Sequence, residues 1–90
     1  MGLDRRKLER IVKGFANHRR IQIMELLERE PKLSVFEVSY RLNVNFKTIS
    51  EHLRRLTLAG LVIKSNKGSE VEHILSNSGK YILKFLRTLE

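Results

Sequence analysis

The sequence predicts a mainly α domain with one small β-hairpin, in the order α-α-α-α-β-β-α. Three observations point there. Apolar residues recur at three- and four-residue spacing through most of the chain, the period of an amphipathic helix. The period changes to two only between Leu61 and Leu75, around the turn-forming run Asn66-Lys67-Gly68-Ser69. Helix caps and stops divide the helical part at Asn17, Pro31, Ser34, Asn45 and Gly60.

Each element has its own local reason. Leu8, Ile11, Val12 and Phe15 place a helix over residues 3–15. Asn17 caps a second helix whose inner face is Ile21, Ile23, Met24 and Leu27, and Pro31 stops it. Ser34 and Glu37 have the spacing of a capping box, opening a short helix to about Leu42 with Val35, Val38 and Leu42 inward. Asn43-Val44-Asn45 is a three-residue turn, and Asn45 caps the next helix. That helix turns Ile49, Leu53 and Leu56 inward and ends at Ala59-Gly60, where glycine suits the left-handed position. Leu61–Ser65 and Val71–Leu75 read as the two strands. Ser76 or Ser78 then caps a last helix carrying Tyr81, Ile82, Phe85, Leu86 and Leu89.

Composition narrows the function. Ninety residues make one domain with a modest core, which regular helix packing or dimerisation would help. The absence of cysteine excludes disulfides, thiolate metal sites and cysteine nucleophiles. The opening MGLDRRKLER mixes acids and bases and is not a secretory signal, and no apolar run is long enough for a membrane helix. No Ser-His-Asp set, glycine-rich phosphate loop or paired carboxylates mark an enzyme. The net charge of +8 is spread almost evenly over the thirds of the chain and suits either a soluble surface or a polyanion partner.

Two short helices joined by three residues, followed directly by a hairpin, describe a winged helix-turn-helix. The helix-turn-helix spans about 34–59 and the wing about 61–76, inside a single domain over 1–90. An α-helix fits the DNA major groove, so its outward side chains meet base edges while flanking cations meet phosphates. Here Asn45, Lys47, Thr48, Ser50 and Glu51 approach bases. Arg54 and Arg55, with Lys64 and Lys67 on the wing, lie on the backbone.

The stretch Leu42-Asn43-Val44-Asn45-Phe46-Lys47-Thr48-Ile49-Ser50-Glu51-His52-Leu53, continued by Arg54-Arg55-Leu56-Thr57-Leu58-Ala59-Gly60-Leu61-Val62, resembles the recognition region of ArsR-type winged-helix regulators. Thr48, Ser50, His52, Leu53, Leu56, Ala59, Gly60, Leu61 and Val62 carry the match. Upstream, Ala16–Met24 is similar to the opening of the family's second helix. Downstream, Ile74-Leu75-Ser76-Asn77-Ser78-Gly79 is similar to a wing exit shared by several winged-helix families. The resemblance implies a prokaryotic, cytoplasmic, nucleoid-associated regulator that binds duplex DNA as a homodimer, with the terminal helices 3–15 and 77–89 packed together. The residues for that interface are Leu8, Ile11, Val12 and Phe15 with Ile82, Phe85, Leu86 and Leu89; the alternative is a last helix that covers the protomer's own core.

The sequence also departs from the family. The helix before the turn lacks the cysteine pair of many metal sensors, and the last helix has no histidine, so neither metal nor cofactor is expected. By the resemblance His52 touches a phosphate or packs between helices. Phe46 and Glu51 stand where many members have a polar residue and a base. Phe46 meets a thymine methyl or folds back on the preceding helix, and Glu51 accepts from a cytosine amino group. Phe36 and Tyr40, four apart, form an aromatic patch with Phe46, or trim the core and set the Tyr40 hydroxyl on a phosphate. The expected function is a sequence-specific, dimeric repressor acting by promoter occlusion. The alternative is a winged-helix module for protein contact or non-specific nucleic-acid binding. Ninety residues leave no room for a separate sensor domain, so any small-molecule effector would act at the dimer interface.

Overall fold

A computed structural model describes residues 2–90; the side chain of Lys67 lies outside the described residues. The order is α1 (Arg5–Phe15), α2 (His18–Arg29), α3 (Val35–Leu42), α4 (Phe46–Leu58), β1 (Val62–Lys67), β2 (Glu70–Leu75) and α5 (Asn77–Arg87). Five helices and one antiparallel hairpin reproduce the predicted order.

Local chemistry sets the helix starts. Asp4 accepts from the Lys7 amide, so α1 begins at Arg5 rather than at residue 3. The Asn17 side chain accepts from the amides of Arg19 and Arg20. The capping box forms in both directions: Ser34 Oγ accepts from the Glu37 amide at 3.1 Å, and Glu37 accepts from the Ser34 amide at 2.9 Å. Ser76, not Ser78, caps α5, accepting from the Gly79 amide at 3.0 Å. Its hydroxyl also donates to the Gly60 carbonyl at 2.7 Å, while its own amide donates to the Leu61 carbonyl. One serine therefore joins the end of α4, the base of the hairpin and the start of α5.

The core gathers on α2, which buries Ile23, Met24, Leu26 and Leu27. Leu33 before α3, Val38 of α3, Ile49, Leu53 and Leu56 of α4, Leu61 ahead of the hairpin, Val62 and Leu75 of the hairpin, and Leu83 of α5 extend it. Val35, Leu42 and Ile21 are half-buried against this cluster rather than inside it. Phe15 is turned into it. On α5 the buried residue is Leu83, which the stripe of Tyr81, Ile82, Phe85, Leu86 and Leu89 does not include. Tyr81, Phe85 and Leu89 are 74, 55 and 66 % exposed. The helix is apolar on more than one face, and periodicity alone could not choose which face the core takes.

The hairpin is longer and its turn tighter than the sequence suggests. Pairing runs from Val62 with Leu75 to Lys67 with Glu70, leaving Gly68-Ser69 as a two-residue turn with Gly68 at φ +64°. Asn66 and Lys67 therefore lie in the strand. A third extended segment also joins the sheet. The His73 amide donates to the Leu33 carbonyl at 2.8 Å, and the Lys32 amide donates to the His73 carbonyl at 3.1 Å.

His73 is almost wholly buried, deeper than a strand histidine on a half-covered hairpin. Its Nδ1 lies 2.9 Å from the Leu33 carbonyl, which can only accept, so Nδ1 carries the proton. Burial pushes its pKa below the ordinary 6.5, against the opposing effect of that hydrogen bond. His52 is depressed as well, first by burial and then by Arg20 and Arg19.

Two outcomes follow for stability. The unfolded chain protonates both histidines at their ordinary pKa, whereas the folded chain resists until lower pH. Their contribution is complete above 6.5 and is lost as pH falls through the depressed folded values. The urea midpoint should therefore drop between pH 7.5 and pH 5.5, before carboxylates titrate; a flat midpoint over about that range contradicts the assignment. Separately, a Cβ added at Gly79 would sit 2.5 Å from the Leu61 carbonyl oxygen, a backbone atom already held by Ser76. Gly79→Ala should cost about 1–3 kcal/mol in urea unfolding.

Candidate nucleic-acid interface

The α3–turn–α4 unit is fixed by short-range hydrogen bonds. Asn43 adopts the left-handed conformation at φ 53°, which asparagine tolerates better than most residues. The Val44 amide donates to the Ser39 carbonyl at 3.2 Å, and Ser39 Oγ donates to the Val44 carbonyl at 2.6 Å. Asn45 Oδ1 accepts from the Lys47 and Thr48 amides at 2.8 and 3.2 Å. Its side-chain oxygen is thus spent on the cap, and only its amide nitrogen remains for a ligand.

Burial of Ile49, Leu53 and Leu56 fixes the opposite face of α4. Phe46, Lys47, Thr48, Ser50, Glu51, Arg54 and Arg55 all stand exposed on it or at its flank. Phe46 is 53 % exposed at the first position of the helix and does not fold back into the core. Phe36 and Tyr40 stack on each other on α3, with ring centroids 6.4 Å apart and planes at 21°, both exposed. Phe46 does not join this stack.

Glu51 organises the charged part of the face. Its carboxylate accepts from Arg54 Nε at 2.9 Å and Nη2 at 2.8 Å, and from Arg55 Nε at 3.0 Å. The Arg54 and Arg55 guanidinium groups hold its pKa down at about 2. The carboxylate is therefore ionised at any physiological pH, and both arginines are paired to it in the free protein. Sequence reasoning gave Glu51 and the arginines separate roles and missed this coupling, although the three- and four-residue spacings were visible.

His52 is half-buried and braces the fold. Arg20 Nε donates to its Nδ1 at 3.1 Å, and Arg20 Nη1 donates to the carbonyls of Lys13 and Gly14 at 3.3 Å each. One guanidinium thus joins the end of α1, the start of α2 and the middle of α4. Of the two readings of His52, this geometry accounts for helix packing through Nδ1 and leaves Nε2 for a phosphate. Arg20 itself was overlooked, its signal being the arginine that follows the capping Asn17.

On the wing Lys64 is exposed in β1, paired across from His73; the Lys67 side chain is outside the described residues. Among the described residues no three His, Cys, Asp or Glu side chains gather where they could hold a metal. No described helix is long and apolar enough to cross a membrane. The residues read as a terminal-helix interface divide in two. Leu8, Val12, Phe85 and Leu89 are exposed, while Ile11, Ile82 and Leu86 are half-buried. Phe15 belongs to the protomer core and offers little surface to a second chain.

Comparison with known proteins places this arrangement. The profile described as bacterial regulatory protein, arsR family, matches residues 17–64, which hold α2, the helix-turn-helix and the first half of β1. The transcriptional activator HlyU of Vibrio cholerae serotype O1 is 37 % identical over 68 residues, a match covering 76 % of this chain and 62 % of that protein. The structure of HlyU from Vibrio cholerae N16961 superposes with a TM-score of 0.81 at 33 % identity, covering 99 % of this chain and 97 % of that one. The homodimeric winged helix-turn-helix DNA-binding domain Mb0332 of Mycobacterium bovis shares the fold with a TM-score of 0.85, at 23 % identity and with 99 and 87 % coverage. The Vibrio cholerae relative is named a transcriptional activator. By profile, by identity and by fold, this winged helix-turn-helix chain belongs to the ArsR family of bacterial regulatory proteins.

Proposed function

We propose that the protein is a sequence-specific, double-stranded DNA-binding transcription regulator that works as a homodimer. The observation that carries this reading is the α4 surface. Its apolar side is sealed in the core, and its outer side carries a polar row from Lys47 to Arg55, between the exposed Phe46 and Leu58, with a wing alongside. Lys47, Thr48, Ser50 and Glu51 approach base edges, together with the free amide of Asn45 and the ring of Phe46 on a thymine methyl. Arg54, Arg55, Lys64 and Lys67 hold phosphates, joined by the Tyr40 hydroxyl and by Nε2 of His52.

In this mechanism Arg54 and Arg55 exchange Glu51 for phosphate oxygens as the helix enters the groove. Glu51, released, accepts from a cytosine amino group. The dimer is supported by the exposed Leu8 and Val12 on α1 and Phe85 and Leu89 on α5, and by the homodimeric state of the Mycobacterium bovis domain. Two heads on one duplex would read half-sites about one helical turn apart. Occupancy over a promoter blocks polymerase and represses. A similar protein is named an activator, so a promoter reporter measures the sign.

Selection of bound sequences from random duplex DNA tests the reading directly; equal affinity for selected and random duplexes overturns sequence specificity in favour of a general binding module. Arg54→Ala combined with Arg55→Ala should leave the melting curve nearly unchanged, since both side chains are exposed, and abolish duplex binding. Glu51→Gln should raise affinity for random duplex and steepen its salt dependence by about one to two phosphates, while flattening preference at one base pair by about 1–3 kcal/mol. Equilibrium sedimentation at micromolar concentration should return a dimer.

A further inference from the structure

Where α1, α2 and α4 meet, the protein has a cavity of about 230 Å³ lined by four cations. Arg10 and Lys13 come from α1, Arg20 from α2 and Arg55 from α4. Gly14 and Ala59 form the floor; the helices approach so closely there that a Cβ on Gly14 would strike that of Ala59. The exposed Leu58 gives an apolar lip. A second hollow of about 200 Å³ shares Arg10, Leu58 and Ala59 with the first and adds Lys7. No carboxylate lines either hollow.

The local acids offset only half of this charge: Glu9 pairs with Lys13, and Glu51 with Arg55, both in exposed ion pairs, and neither acid lines the hollow. Arg10 makes no ion pair among the described residues. Arg20 spends Nε on His52 and Nη1 on two carbonyls, leaving Nη2 unused. Burial, and then the charge of Arg55, depress the Arg20 pKa, as expected of a cation held near a like charge. Like charges converging on a partly desolvated hollow are relieved by an anion, and guanidinium groups match the planar fork of an oxyanion.

We propose that this cavity binds a small oxyanion, phosphate or a short-chain carboxylate, and that the anion acts on the reading helix through Arg55. The volume is below the roughly 300–1,000 Å³ of sites for drug-sized ligands, so the guest has only a handful of heavy atoms. Leu58 and Ala59 accommodate a short carbon chain. Arg55 faces both the cavity and Glu51, with its Nε 3.0 Å from that carboxylate. A guanidinium drawn to the bound anion is lost to a DNA phosphate, so anion and duplex oppose each other, and by linkage the effect is reciprocal. This second step rests on the DNA-binding reading; the anion site does not.

The test titrates the whole chain with inorganic phosphate and, separately, with succinate at ionic strength fixed by sodium chloride, following amide and arginine Nε resonances. Saturable shifts centred on Gly14, Leu58 and Ala59, with the Nε signals of Arg20 and Arg55, support the site. Arg10→Ser should then weaken anion binding about tenfold, as for loss of one charged hydrogen-bond donor, and Leu58→Glu should block it by placing a carboxylate at the mouth. Shifts that stay linear, or that spread over the lysines and arginines of α1 and α5, overturn the site. If Arg10→Ser weakens duplex binding as much as anion binding, the phosphodiester of DNA is the guest, and the free-anion proposal is overturned. Saturable anion binding with unchanged duplex affinity overturns the coupling through Arg55. Reduced duplex affinity with anion bound supports it.

Discussion

Everything on the reading side depends on a seam of three side chains. Ile49, Leu53 and Leu56 of α4 are spaced four and three apart and are completely excluded from water. Burying them is worth about 1.5–3 kcal/mol each, far more than any exposed ion pair on the same helix. Rotation of α4 about its axis would expose that seam, so the seam dictates which residues face outward. The outer row of Lys47, Thr48, Ser50, Glu51 and Arg54 is what remains once those three are placed. Arg20, tied to His52 and to the end of α1, holds the same helix beside that seam.

The charge of the chain acquires structure once the side chains are placed. An even distribution along the sequence becomes a paired cluster at Glu51, a cationic hollow around Arg20, and single bases on the wing. The surface ion pairs contribute little to folding. Their effect is to hold cations in defined positions and to lower the local positive potential.

Most of the fold was legible because its signals are local. Asn17, Ser34 with Glu37, Asn45 and Gly60 each act within three or four residues, and each fell where the sequence placed it. The α4 face was legible for the same reason: its apolar positions follow one clean period. What escaped was nonlocal or degenerate. The Leu33–His73 bridge joins residues forty apart, with no pattern to announce it. The Arg20–His52 bond spans thirty-two. On α5 the sequence supplies more apolar residues than one stripe needs, and only packing reveals that Leu83 is inside while Tyr81 and Phe85 are out. On the outer face of α4, exposure was legible but the availability of side-chain atoms was not: the Asn45 oxygen and His52 Nδ1 already have partners.

The clasp at Ser76 divides the wing into two zones that differ in how much change in length they tolerate. Its bonds to Gly60, Leu61 and Gly79 fix the base of the hairpin, where any change in length would shift α5 from its place against α2 and β2. The tip at Gly68-Ser69 carries no such ties to the core and is exposed. Insertions accumulate where backbone is exposed and unbonded. The wing can therefore lengthen or shorten at its tip, altering how far it projects, while the helices behind it stay unchanged.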